Sequence, residues 1–374
     1  MTSALPPVPS PLPPLPGGEG KIGIDARTLI GLVEQYSPTG EEKAAVTWLV
    51  ERMRQLGYSQ SFVDGAGNAV GVMGAGPRQA ILLGHIDTVT GLIPVLVEGD
   101  LLYGRGSVDA KGPLAAFVDA VARIGVQSPS LLDGWQLVVI GAVNEEGDSL
   151  GARHITPLYH PEFAIIGEPS RWERVTLGYK GSAWARLTVR QARSHTASPT
   201  ASACEKAVAA WETLRGWADK FNAGRERAFD QLLLGLRGLE SGEGDFEEWA
   251  SLRVGARLPL DLPAEAWYIH LAEILPGIQI EPYGFPIPAY ACEKNTPLVR
   301  AFLAAIRTQG GKPGFLFKTG TADLNIVGPV WNCPAVVYGP GDSALDHTPQ
   351  EHASLGEYLQ AVEVLVQTLK QMLR

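Results

Sequence analysis

The sequence predicts an α/β fold, a mostly parallel mixed sheet flanked by helices, into which a smaller α+β domain is inserted. Short apolar runs at 80–83, 137–140, 163–166 and 335–338 are largely aliphatic and β-branched, the composition of strands buried on both faces. Helical apolar spacing separates them, and the pattern changes between about 176 and 287, where longer alternating stretches replace the short runs.

Taken in order, residues 26–36 and 41–56 have helical spacing, with Thr39 or Gly40 before Glu41 and Glu42 as a helix start. The first buried strand follows at 80–83, a helix at 112–124, and two more strands at 137–140 and 163–166. In the middle stretch, strands are expected at 182–189, 252–258 and 278–283, with helices near 200–221 and 264–274. The α/β pattern resumes with a helix from Thr296 to about Gln309, the strand at 335–338 and a closing helix at 354–372. No internal repeat is visible. The expected organisation is therefore a disordered proline-rich tail over 1–22, a catalytic domain over 23–175 and 288–374, and an inserted domain over 176–287.

Composition narrows the function. The 374 residues are 45% hydrophobic and 19% charged, ordinary for a soluble globular chain. No apolar run approaches the roughly 20 residues that span a bilayer, so no membrane association is expected. The first twenty residues are rich in proline and hold no Lys or Arg, unlike a secretory signal. Cys204, Cys292 and Cys333 are few and far apart, so neither a disulfide framework nor a zinc knuckle follows, and a cytoplasmic setting is the simplest expectation. A net charge of −9 argues against nucleic-acid binding, which wants a basic surface.

The chemistry sits at the strand ends. In α/β sheets ligands bind beyond the carboxyl ends of the strands. The first strand runs into GHIDTV, with His85 and Asp87, and the second into NEEG, with Glu145 and Glu146. The third runs into GEPS, with Glu168, and the last into a loop ending in DHT, with His347. Asp109 stands in GRGSVDAKGP just before a helix. Singly, each has an ordinary reading as a surface histidine, a solvated glutamate pair or a turn. Jointly they bring two histidines and several carboxylates to one edge, a donor set that suits zinc with coordination room to spare. A carboxylate can bridge two ions, and Asp109 is the candidate. Of the adjacent glutamates one binds metal and the other takes a proton. Asp87 shares a strand face with His85 and is placed to fix its tautomer.

At these motifs the sequence resembles the zinc peptidase and deacylase family of acetylornithine deacetylase, succinyl-diaminopimelate desuccinylase and the bacterial glutamate carboxypeptidases. The likeness runs from about residue 25 to the C-terminus. It implies a zinc-peptidase-like fold with two Zn2+ ions, for which Co2+ or Mn2+ can substitute. His85 and Glu168 would hold one ion, Glu146 and His347 the other, with Asp109 bridging. Glu145 would be the general base, and the Asp109–Ala110 peptide is typically cis in such proteins. The inserted domain would be a lid and homodimerisation domain. Its RSHTASP segment supplies His195 for the oxyanion, often from the partner subunit. Arg257 matches an arginine that grips a substrate carboxylate, and KTGTAD, with Thr319 and Gly320, a substrate-side loop.

Within the family, GRGSVDAKGPLAAF and IIGEPS followed by TLGYKG resemble the branch that releases lysine or ornithine from a small acidic amino-group carrier protein in lysine and arginine biosynthesis. Residues 180–237 hold ten Lys or Arg against five Asp or Glu, while 240–281 hold two against nine. A basic lid face suits such a carrier. Rival readings are a small-molecule N-acyl amino acid deacylase or a dipeptidase with the same site. An inactive binding module is disfavoured by the intact base and ligands, and a structural metal protein by the spare carboxylate beside them.

Overall fold

The computed structural model describes residues 26–374, so the tail expected over 1–22 lies outside the described residues. The four apolar runs form strands Arg78–His85, Trp135–Ala142, Phe163–Gly167 and Ala335–Val337. They lie side by side and parallel at the centre of a nine-stranded sheet, and the next strand on each side, Ala69–Gly74 and Arg174–Tyr179, pairs antiparallel with them. Alternate residues of each strand feed opposite cores. Ala80 and Leu82 pack with the helices Lys43–Gln55, Lys111–Gln127, Pro297–Thr308 and Leu355–Met372, whereas Ile81 and Leu83 pack toward Leu150–Ile155 and Leu324–Trp331. All four residues are fully buried, which explains why these runs show no polar alternation.

The flanking helices carry their own start signals. Thr296 accepts from the Val299 amide ahead of Pro297, and Ser354 accepts from the Glu357 amide. Ser202 and Glu205 form a reciprocal capping box at the start of Ala203–Asn222.

Between Gly181 and Ile287 a second, four-stranded antiparallel sheet forms, in the order Leu233–Glu243, Glu247–Leu258, Gly181–Ala192, Gln279–Ile287. One face buries Ala183, Ala185, Leu187, Val254 and Ala256 under the helices Ala203–Asn222 and Ala264–Ile274, a core separate from the first two. The strand Leu233–Glu243 has no counterpart among the expected elements. Its three glycines and mostly half-exposed positions erase the alternation that marks a strand. Short strands such as Gln60–Val63 and Gly314–Lys318 likewise lie outside the expected set; they add to the sheet's margins. No described helix is long and apolar enough to cross a membrane.

Candidate active site

Parallel pairing sets the site. Gly84 stands opposite both Gly141 and Gly167, so three central strands end level and their following loops open at one edge. His85 is the last residue of its strand, and Glu168 follows immediately on Phe163–Gly167. Glu145 and Glu146 sit in a turn beyond Ala142, where Asn144 takes a positive φ of 63° and its Oδ1 accepts from the Asp148 amide at 2.9 Å. That local bond is why asparagine tolerates the left-handed conformation here. His347 closes the loop after Ala335–Val337 with φ 61°. Asp109 arrives just before the helix Lys111–Gln127 through a cis Asp109–Ala110 peptide.

Two triads result. Ligand atoms of His85, Asp109 and Glu168 lie within 4.8 Å of one another, as do those of Asp109, Glu146 and His347. Asp109 belongs to both. Its Oδ1 lies 3.3 Å from His85 Nε2 and its Oδ2 3.0 Å from His347 Nε2. His347 Nε2 is 2.8 Å from Glu146 Oε1, and His85 Nε2 is 3.9 Å from Glu168 Oε1. Glu145 belongs to neither triad, yet its carboxylate stands 4.0 Å from His85 Nε2.

The electrostatics fit a cation pair. Burial pushes the Glu145 and Glu168 carboxyls well above their usual range, and neighbouring carboxylates add to the effect on both. Burial also opposes the charge on Asp109, but hydrogen bonds from His347 and His85 outweigh it and hold that carboxyl low. Hydrogen bonding to Asp109 and Glu146 pushes His347 up to about 10. The crowded, buried negative charge of this cluster is what divalent ions on the two triads would offset. The borderline and hard donors, the shared carboxylate and the free Glu145 all suit two such ions.

Asp87 meets His85 chiefly through its backbone. Its carboxylate lies 3.5 Å from His85 Nδ1, but the closer partner of that nitrogen is the Asp87 carbonyl, at 3.0 Å. The carboxylate instead accepts the amides of Glu145 at 3.0 Å and Glu146 at 3.1 Å, and the Thr39 hydroxyl at 2.8 Å. It fixes the turn that carries Glu145. A second anchor, Glu351, is not marked by any motif. At 1% exposed, it accepts the amides of Val108 at 3.0 Å and Asp109 at 3.1 Å, and pairs with Arg105 at 2.7 Å. Asp346 also lines the cavity with one carboxylate oxygen buried and unpartnered, and burial pushes it up to about 8.

Asp109, Glu145, Glu146, Glu168 and His347 floor a cavity of about 890 Å3 roofed by the second sheet. Arg257, Thr319 and Gly320 line it, and Arg257 donates to the Thr321 hydroxyl at 3.2 Å. Arg237, Arg253 and Trp184 line it too, though no motif in the sequence singles them out. His195 does not: it stands exposed on the turn after Gly181–Ala192, its Nδ1 accepting from the Ala197 amide.

A level-ended parallel sheet, two metal-type triads sharing one carboxylate and a free glutamate beside them define a metal-dependent hydrolase. Residues 81–371 match Peptidase family M20/M25/M40, and the chain belongs to that family. With it come amide-bond hydrolysis and a divalent-metal site. The chain is 42% identical to the LysW-lysine hydrolase of Deinococcus radiodurans over 362 residues, covering 93% of this chain and 98% of that protein. It is 26% identical to the LysW-lysine/LysW-ornithine hydrolase of Saccharolobus solfataricus, over 91% of this chain and 96% of the other. Among solved structures it resembles the aminopeptidase PepT of Bacillus cereus, with a TM-score of 0.76 at 17% identity, covering 94% of this chain and all of that one. An M20 family metallo-carboxypeptidase of Sulfolobus solfataricus gives 0.72 at 16% identity, over 92% and 98%. At such identities the structures speak for the fold alone.

Proposed function

We propose that this protein is a two-metal hydrolase that releases lysine, or ornithine, from the γ-carboxyl of a glutamate ending a small acidic carrier protein. The observation that supports the chemistry is the pair of triads sharing Asp109. The likeness to LysW-lysine hydrolases over nearly the whole chain supports the substrate.

Zn2+ is the proposed metal: His85 and Glu168 would hold one ion and Glu146 and His347 the other, with Asp109 common to both triads. Bound there, the ions would polarise the scissile carbonyl and increase the acidity of water. Glu145 takes the proton from the attacking water and delivers it to the leaving nitrogen, a role supported by its place beside both triads but in neither. Asp87 keeps Glu145 in place through the backbone bonds described above. Arg257 holds a substrate carboxylate, and the loop at Thr319 and Gly320 borders the bound chain. His195 donates to the oxyanion from the inserted domain of a second copy, since it stands outside the cavity of its own chain. That makes residues 176–287 both lid and dimerisation domain.

The test is amino-acid release by zinc-loaded protein, comparing a carrier bearing γ-glutamyl-lysine with acetylornithine, acetyllysine and succinyl-diaminopimelate. Efficient release from the carrier, with poor turnover of the free acyl amino acids, is expected. Preference for a free acyl amino acid would keep the site and replace the substrate.

A further inference from the structure

Most arginines of the inserted domain are neutralised where they stand. Arg190 pairs with Glu247, Arg193 with Glu243 and Arg225 with Asp261. Among the described residues Arg186, which lies outside the cavity, has no such partner, and neither do Arg237 and Arg253, which differ from it in position. Both line the active-site cavity, and among the described residues neither makes an ion pair or a hydrogen bond. They stand on the same wall as Arg257, which lies within electrostatic reach of both Glu145 and Arg237. Guanidinium groups gathered on one wall repel one another, while a carboxylate placed among them gains charge-assisted, bidentate bonds.

Local backbone features position both side chains. The pairing of Leu233–Glu243 with Glu247–Leu258 shifts register between Leu236 and Gly238, which makes Arg237 the extra residue of a bulge. A bulge re-aims the side chain it carries. Arg253 lies opposite Gly238, where a Cβ would stand only 2.5 Å from its Nε. The bare glycine therefore provides the space that the Arg253 guanidinium occupies.

The substrate proposed above supplies a matching anion, and the role of these two arginines rests on that reading. An amino acid joined to the γ-carboxyl of a terminal glutamate leaves that glutamate its α-carboxylate. The released amino acid carries a second one. Two carboxylates thus flank the scissile amide, and Arg257 accounts for one. We infer that Arg237 and Arg253 form a second carboxylate subsite, which takes the α-carboxylate that a γ-linked glutamate keeps on the acyl side of the scissile bond. An acetyl group has nothing to place there, so the subsite selects γ-glutamyl substrates over acetylated ones.

The test uses zinc-loaded full-length enzyme and two short peptides. Both end in a glutamate bearing lysine on its γ-carbonyl, one with a free α-carboxylate and one with an α-carboxamide. The wild type is expected to favour the free acid in kcat/KM by roughly tenfold to a hundredfold, the range for a hydrogen bond to a charged group. Arg237→Gln and Arg253→Gln each bring the ratio toward one, while Arg190→Gln, whose partner lies outside the cavity, keeps it. Because each ratio is measured within one enzyme preparation, partial misfolding does not alter it. Equal cleavage of both peptides by the wild type, or an unchanged ratio in both cavity variants, overturns the subsite and leaves the proposed function standing. Lysine release from the intact carrier but from neither peptide overturns the subsite alone, and release from none of the three overturns both.

Discussion

Glu145 is the residue on which the proposed chemistry turns, and its placement is owed to a neighbour. Replacing it by Gln keeps the size and the amide bonds to Asp87 but removes the proton acceptor. Activity is expected to fall roughly a hundredfold to ten-thousandfold, with metal content by elemental analysis unchanged. Asp87→Asn should act differently. It weakens the clamp on the Glu145 and Glu146 amides and the support of His85, so metal affinity measured by competition with a chelator should drop roughly tenfold to a hundredfold. The residues of the two triads are legible in the sequence because metal chemistry admits few residue types and strand ends point to one edge. The clamp is not, because its partners are backbone amides brought near only by folding.

At the scale of elements, the loop that carries Asp109 is pinned by Glu351, more than two hundred residues further along the chain. Glu351→Ala leaves Arg105 buried without its partner and two amides without an acceptor. Breaking such a pair costs about 3–5 kcal/mol, and chemical denaturation of the metal-free protein should show a loss of that size. No local pattern announces Glu351, since an isolated glutamate before a short strand reads as surface. The central strands are readable for the opposite reason: burial on both faces leaves runs such as AILL and LVVI with no polar residue. Leu233–Glu243 is hidden because exposure and glycines remove that signature, and with it goes the bulge that carries Arg237.

At the scale of the molecule, the two sheets meet over one cavity, and the inserted sheet contributes arginines to a floor of carboxylates. The crowded carboxylates on that floor should make stability depend on metal. Zinc at about a hundred times its dissociation constant should stabilise the fold by about 2.7 kcal/mol per site, visible as a Tm raised by zinc and lowered again by chelator. The exposed place of His195 leads to a further expectation. Mixing inactive Glu145→Gln and His195→Ala proteins should restore part of the activity, because a mixed dimer would hold one site with both residues intact. No recovery on mixing would assign His195 another role. The most direct measurement of the two-metal chemistry is lysine release from the γ-glutamyl-lysine carrier as zinc is titrated into chelator-treated protein. No release is expected without metal, and full release at two ions per chain. Full release from the metal-free protein, or saturation at one ion, would contradict a two-metal site bridged by Asp109.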